Sequence, residues 1–295
     1  MQSLALYVGF GLVTASILCI GAVGFTLQFG ISNLFNLAFG ATMTAAAFVA
    51  YVCNAAGLNI WVSLVLGTLA ASLLSFLLNR GIYLPFKRRA MSRFTMIMVT
   101  LGVGIILQFG IEAIWGGDNF SYNMRPGRSV HIAGMLFTTT QLTVIGIAAV
   151  AAAAVHVLLR YTRLGKAMRA VAVNERLARN CGISVKAVVD STWLLSGALC
   201  GLAGIVLVMD VQVLNSSSGD DFFILIIAAA VLGGIGSASG AIVGAIIIGV
   251  VAEVAAGFIN PEFKDISAFI ILAAMLLLRP TGVINSIATA KEVAR

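Results

Sequence analysis

Three amide side chains interrupt the apolar first part of the chain, where they could line a wet path or pair within a protein interior. Gln28, Asn33 and Asn36 fall between two long apolar runs. An amide removed from water costs free energy unless hydrogen-bond partners replace that water. We therefore expect protein or water around these amides. The amides could line a pathway or could be packed polar groups, and the sequence favours neither interpretation.

A glycine-rich turn interrupts a second apolar run. It reads Gly-Gly-Ile-Gly-Ser-Ala-Ser-Gly over residues 233–240, after an apolar piece at 223–232. As a helix that piece would be about 15 Å long, half of a membrane core. Broken helices expose backbone groups that persist only inside protein or beside a wet cavity. Each single glycine is explained more simply by close helix packing. The candidates for a pathway are Gln28, Asn33, Asn36, Gly40, Gly233, Gly234, Gly236 and Ser237.

A basic segment at residues 163–182 shows a different pattern. Its charges alternate with Ala and Leu at helical spacing, and Gly182 suits a helix C-cap. We interpret it either as a solvated loop touching anionic headgroups or as a short helix that docks into another protein. The candidate docking residues are Arg163, Gly165, Arg169, Ala170, Glu175, Ala178 and Gly182.

The sequence contains no motif for nucleotide hydrolysis or metal binding. The one Gly-Lys pair, Gly165-Lys166, is followed by Ala167 and lacks the phosphate-loop pattern. His131 and His156 have no neighbouring nucleophile, and the four cysteines lack metal-site spacing. We expect a chain that is not an enzyme and binds no metal or cofactor itself. Four acids lie near predicted span ends rather than at the midplane: Glu112, Asp190, Asp210 and Glu253.

The composition indicates that most of the chain lies in lipid rather than in water. Hydrophobic residues make up 60% of the chain and charged residues 10%, whereas soluble domains carry about 25% charged residues. The net charge of +7 comes from short Lys and Arg clusters between apolar runs, which argues against nucleic-acid binding. We predict an all-α polytopic membrane protein with a single domain over residues 1–295.

Hydropathy predicts about eight crossings, with shorter apolar pieces at 28–39 and 222–234. The predicted spans are 4–27, 40–54, 60–80, 94–115, 140–160, 186–209, 241–257 and 266–279. No Lys or Arg precedes the first apolar run, so we expect it to be a retained span rather than a cleaved signal.

Basic residues predict the orientation, because Lys and Arg collect on the cytoplasmic side. The loops at 80–93 and 160–186 are therefore predicted to be cytoplasmic, as is the tail with Arg279, Lys291 and Arg295. The N-terminus and the segments 116–140, 210–221 and 260–265 are then outside. The two interruptions, 28–40 and 233–240, also have similar surroundings. Each is followed by a span, an outer connection, another span and a basic residue, which suggests an internal repeat that matches 28–40 with 233–240.

The motifs in this order resemble ABC-importer permeases, specifically the branched-chain amino acid (LivH/LivM type) family. The similar segments are 26–40, 83–87, 163–182, 231–240, 263–265 and 279–282. One departure concerns residues 36–41, where the family has Asn-Phe-Ala-His-Gly-Glu. This chain has Phe39 and Ala41 in place of the His and the Glu, which weakens inference about the substrate.

The resemblance implies a heteromeric importer in a prokaryotic inner membrane. The expected partners are two ABC ATPase subunits, a second permease subunit that is related or identical, and a periplasmic or lipid-anchored binding protein. ATP would be used by the partners, and the loop at 160–186 would couple to them. The alternatives are an ABC permease for urea, short amides or sugars, an ATPase-independent transporter or channel, and a structural scaffold.

Overall fold

The computed structural model describes residues 2–89, 91–124, 127–132, 135–258, 260 and 263–278. These residues form a helical bundle with one short hairpin, which confirms the predicted all-α class. The first helices are α1 (Gln2–Ser32), α2 (Phe39–Ala55), α3 (Ile60–Leu78), a π-helical turn (Asn79–Tyr83), α4 (Leu84–Arg88) and α5 (Arg93–Trp115). After strands β1 (Ser129–Ile132) and β2 (Met135–Thr138) come α6 (Thr139–Tyr161), α7 (Arg163–Val173), α8 (Glu175–Asn180), α9 (Val185–Val211), α10 (Ser218–Gly233), α11 (Ala238–Phe258) and α12 (Phe263–Leu278).

Six helical segments among the described residues are long and apolar enough to cross a membrane: Leu6–Ser32, Ile60–Arg88, Arg93–Trp115, Thr139–Tyr161, Val185–Val211 and Ala238–Phe258. The predicted spans at 40–54 and 266–279 correspond to α2 and α12, which have 17 and 16 residues. α10 also has 16 residues and ends at Gly233, as its short apolar piece predicted. The predicted tail after residue 278 and part of the outer segment 260–265 lie outside the described residues.

Helices α1 and α9 form the centre of the bundle. In the 18-residue apolar stretch of each of these helices 67% of the stretch is buried, whereas in α6 the share is 17%. Small residues permit this packing, because backbones approach closely where side chains are absent. A methyl group on Gly204 of α9 would lie 2.9 Å from the carbonyl carbon of Met43 in α2. The outward faces of α5 and α6 keep large apolar side chains exposed, as suits helices facing lipid.

Helix packing reveals a repeat with a different register from the predicted one. The contact between α2 and α3 corresponds to the contact between α10 and α11. The contact between α9 and α3 corresponds to the contact between α1 and α11. α2 and α5 likewise pair as α10 and α12 do. This pattern matches α1, α2 and α3 with α9, α10 and α11. The segment 33–38 therefore corresponds to 212–217, and the sequence-based match of 28–40 with 233–240 is wrong.

Backbone angles support this register. Among the described residues only two non-glycine residues have positive φ, Asn33 at 51° and Gln212 at 59°. Each directly follows the first helix of its half, α1 or α9. L-residues rarely adopt this conformation, so its recurrence at matched positions indicates the same chain reversal in both halves.

The described residues of the segment 116–138 include regular structure where the sequence predicted a loop. It contains the β1–β2 hairpin, and Phe120 and Leu214 exchange two backbone hydrogen bonds of 2.8 Å. The Tyr122 hydroxyl donates to the carbonyl of Ala47 at 3.1 Å, and burial raises the pKa of Tyr122. The segment thus folds over the end of α2.

Candidate transport pathway and coupling surface

The first break, residues 33–38 between α1 and α2, is held by side chains from other elements. The Asn36 Oδ1 atom accepts the Ala38 amide at 3.2 Å and the Tyr83 hydroxyl at 3.3 Å. Thr100 donates to the Phe35 carbonyl at 3.1 Å, and Lys87 Nζ donates to the Ser32 carbonyl at 3.1 Å. Backbone groups that a helix would have satisfied therefore find partners in Asn36, α4 and α5, and Tyr83 of the π-helical turn holds the Asn36 side chain.

The three predicted amides occupy different surroundings. Gln28 is 1% exposed, and its Oε1 accepts the Ser196 hydroxyl at 3.0 Å, while its Nε2 has no partner. Asn36 is buried, and Asn33 is exposed. The cluster predicted from the sequence is thus divided between packed amides and one surface amide.

The second break, residues 234–237 between α10 and α11, is built from its own backbone. Gly234 and Gly236 have φ of 102° and 96°, conformations that favour glycine. A methyl group on Gly233 would collide with the backbone of Gly240, so α10 and α11 touch at this turn. The Ser237 hydroxyl accepts the Gly240 amide at 3.1 Å and caps the start of α11.

The second break meets the end of α1 beside a cavity. A methyl group on Gly30 would lie 3.2 Å from the Cα of Gly236. The cavity measures about 440 Å³ and is lined by residues of α1, α6, α7 and α11, including Gly30, Gly236, Ser237, His156, Arg160 and Arg169. Of the predicted pathway residues, Gly236 and Ser237 line this cavity, and Gln28 and Asn36 pack against protein elsewhere.

The starts of α2 and α10 meet inside the bundle, at matched positions of the two halves. A methyl group on Gly40 would lie 2.8 Å from the Cα of Asp220. The Gly219 amide donates to Thr44 Oγ1 at 2.9 Å. The rings of Phe39 and Phe223 stack with centroids 5.6 Å apart. Gly40 therefore serves close packing, and Phe39 fills an aromatic core.

The basic segment forms two helices where the sequence predicted one. Thr162 caps α7 by accepting the Gly165 amide at 3.0 Å, and Asn174 caps α8 by accepting the Leu177 amide at 3.0 Å. Gly182 has φ of 81° and ends α8, which confirms the expected C-cap. Its amide bonds to the Arg179 carbonyl at 3.0 Å, and the next amide bonds to the Ala178 carbonyl at 3.0 Å.

The predicted docking residues divide between two faces of this helix pair. Gly165 and Ala178 are buried against the bundle, and Ala170 packs beside the same cluster. Arg169 is exposed and donates to the Leu159 carbonyl at 2.8 Å. Arg163, Glu175 and Gly182 are exposed. The surface open to a partner is therefore narrower than the predicted set.

Two exposed apolar side chains on this surface were missed. Val173 and Leu177 are each 60% exposed, at the end of α7 and within α8. Glu175 lies between them and pairs with Arg179 at 2.9 Å. Their spacing of four residues among charged neighbours was a signal for an apolar contact point. That both side chains are exposed depends on how α7 and α8 lie on the bundle, which the sequence does not specify.

Two of the acids near predicted span ends, Glu253 and Asp190, have partners. Glu253 accepts hydrogen bonds from Thr14 at 2.6 Å and from Lys264, so α1, α11 and α12 join there. Asp190 lies 4.0 Å from Arg80. The sequence-based interpretation of Glu253 as a paired carboxylate near a span end is consistent with this contact. Within the described residues, no group of three His, Cys, Asp or Glu side chains could hold a metal ion.

Crossing helices, two interior breaks and a basic helix pair at one end define a polytopic membrane protein of the permease class. Residues 7–278 match the profile of the branched-chain amino acid transport system permease component. The chain therefore belongs to this permease family. Its fold also resembles PsaBC from Streptococcus pneumoniae in complex with Fab, with a TM-score of 0.53 and 16% identity over 96% of this chain and 94% of the other.

Relatives match along nearly the whole chain. LivH of Salmonella typhimurium, a high-affinity branched-chain amino acid transport permease, is 28% identical over 93% of each chain. BraD of Pseudomonas aeruginosa, described in the same terms, is 27% identical over 93% of this chain and 94% of its own length. YtfT of Escherichia coli, a galactofuranose transporter permease, is 25% identical over 90% of this chain and 77% of its own length.

Proposed function

We propose that this chain is the permease subunit of an ABC importer that moves branched-chain or related amino acids inward. The observation that carries the proposal is the family match over residues 7–278 together with LivH and BraD relatives along 93% of the chain. The complete machine contains two ABC ATPase subunits, a second permease subunit and a binding protein outside the membrane. It resides in a prokaryotic inner membrane, and the ATPase subunits hydrolyse the ATP.

The proposed pathway follows the two breaks. Broken helices expose backbone groups that need protein or water as neighbours, and the second break borders the cavity beside Gly30. Ser237 and Gly236 line that cavity, whereas Gln28, Asn36 and Gly40 set the positions of the helices around it. The single permease domain thus combines a glycine-bordered route with a closely packed centre formed by α1 and α9.

The proposed coupling surface is the outer face of α7 and α8. Val173 and Leu177 offer apolar contact there, Glu175 lies between them, and Arg163 and Arg169 are exposed on α7. An apolar centre with a polar rim is the usual composition of a protein interface. Gly165, Ala170, Ala178 and Gly182 support this face by fixing the two helices on the bundle.

A sugar permease is the second candidate, because YtfT matches 90% of the chain. Phe39, which stacks on Phe223, stands where the family has a His, so this part of the interior is less polar than the resemblance implies. The amino-acid interpretation is favoured, because LivH and BraD cover more of their own lengths than YtfT does.

Transport by the reconstituted complex tests the proposal. Vesicles containing ATP and the complete complex should take up radiolabelled leucine supplied by the binding protein, and unlabelled valine or isoleucine should compete. Val173→Asp with Leu177→Asp should abolish uptake and release the ATPase, since both changes place charge in the contact. Val213→Asp, an exposed valine elsewhere, is the control and should retain the ATPase. Competition by a sugar but not by amino acids, or uptake without ATP, would refute the proposal.

A further inference from the structure

A second chamber lies beside α8, apart from the cavity at the second break. It measures about 310 Å³ and opens between the end of α1, the π-helical turn, α4, α5, α8 and α9. Small-molecule sites in proteins begin at about 300 Å³. The chamber is therefore large enough for an amino acid.

Three buried polar groups of this chamber have no hydrogen-bond partner. They are Ser32 Oγ, Asn79 Nδ2 and Trp193 Nε1, on residues that are 5%, 5% and 1% exposed. All three residues line the chamber. Buried donors are normally satisfied, because an unpartnered one costs about 1–3 kcal/mol. The three donors come from α1, the π-helical turn and α9, so three separate elements around the chamber each carry a buried donor without a partner.

The charges around the chamber have both signs, with cations in excess. Four cations line it, Lys87, Arg88, Arg179 and Lys186, together with two acids, Glu175 and Asp190. Glu175 is paired with Arg179 at 2.9 Å, whereas Asp190 has only a long 4.0 Å contact with Arg80. An anionic group suits the four cations, and Asp190 remains to accept an ammonium group.

Apolar side chains supply the rest of the lining. They are Leu34, Met96, Val189 and the tilted rings of Tyr83 and Trp193, whose centroids are 5.3 Å apart. A carboxylate, an ammonium group and an apolar side chain are the three parts of an aliphatic amino acid. The chamber has a complementary surface for each part.

We propose that this chamber is a cytoplasm-facing site for a free aliphatic amino acid, and that its occupation slows the transport cycle. Glu175 and Arg179 belong to α8, so a ligand there contacts the coupling surface and α9 together. The adjacent π-helical turn at Asn79 fits a binding role, since such turns recur at functional sites. The inference rests on the proposed function, because the ligand is the transported product itself.

The test uses the complete complex in vesicles that hold ATP and increasing leucine in the lumen, with ligand-loaded binding protein outside. Luminal leucine should reduce the initial ATPase rate at least threefold, and luminal phosphate should not. The combined change Asn79→Leu and Trp193→Phe should remove this inhibition. Thr68→Val, which removes another unpartnered buried hydroxyl outside the chamber, should leave it intact.

Several results would overturn the proposal: no inhibition by luminal leucine, equal inhibition by phosphate, or equal inhibition of the changed complex. A second measurement covers variants that fail to assemble. The unmodified complex without binding protein should bind radiolabelled leucine, and absence of binding also refutes the site. If vesicles without luminal leucine take up leucine but added luminal leucine does not inhibit the ATPase, this inference alone is refuted. If no amino acid is taken up at all, the proposed function and this inference are refuted together.

Discussion

The two breaks interrupt helices inside the bundle, and they are stabilised in different ways. The first is stabilised by its own Asn36 side chain and by Tyr83, Thr100 and Lys87, which reach it from other elements. The second is stabilised by glycine conformations and by contact between its own flanking helices. A break held by side chains depends on several weak bonds, whereas a glycine turn depends on the absence of side chains. Substitutions should therefore affect the two breaks unequally.

The largest effect is expected at the second break. Gly233→Val would drive a branched side chain into the backbone of Gly240 and separate α10 from α11. Overpacking of this kind costs about 3 kcal/mol, and the folded yield should fall sharply. The measurement is the thermal unfolding midpoint of the purified chain. Gly146→Val is the control, because a side chain at Gly146 meets no atom within 4 Å. Equal midpoints for the two variants would show that the α10–α11 contact is unimportant.

A smaller effect is expected from Asn36→Ala at the first break. The change leaves the Tyr83 hydroxyl and the Ala38 amide without their acceptor, which costs about 2 kcal/mol. Tyr83→Phe removes one of the orphaned donors, so the double variant should be less unstable than the sum of the two single changes. Chemical unfolding of the four proteins measures this coupling. Strict additivity would show that the two side chains do not interact.

The sequence predicted the existence of both breaks well, because glycine clusters and amides stand out within apolar runs. It also predicted the short α10 and the cap at Gly182. It did not predict the register of the repeat. Order along the chain suggested one correspondence, whereas the packing of α1 on α11 and of α9 on α3 indicates another. Such pairings join residues far apart in sequence, and hydropathy carries no information about them.

The candidate site was predicted less completely. Gly236 and Ser237 do line a cavity, but Gln28 and Asn36 are packed against partners that only the fold brings near. Val173 and Leu177 were missed because exposure depends on where α7 ends and α8 begins. The unpartnered Asn79 and Trp193 belong to different segments, so their common chamber is visible only in three dimensions.

The smallest effect is expected at Asn33, where the first break needs backbone freedom. Its φ of 51° is tolerated by Asn and Gly and disfavours branched residues. Asn33→Val should therefore destabilise the chain by about 1 kcal/mol, while Asn33→Gly should change its stability little. The difference between the two unfolding midpoints reports the backbone requirement alone. If both variants lose equal stability, the Asn side chain rather than its backbone matters.

Water access along the breaks is the most direct test of the proposed pathway. The experiment starts from a variant in which Cys53 and Cys181 are changed to Ser. Single cysteines then replace Asn33, Asn36 or Ser237 in the complete complex. A small water-soluble thiol reagent is applied with and without ATP. Residues 33 and 237 should each react in at least one nucleotide state, whereas residue 36, which is buried against Tyr83, should stay protected. Asn33→Cys should react in both states because residue 33 is exposed. Ser237→Cys should react in one state and be protected in the other. Protection of Ser237→Cys in every state would contradict a pathway along the second break.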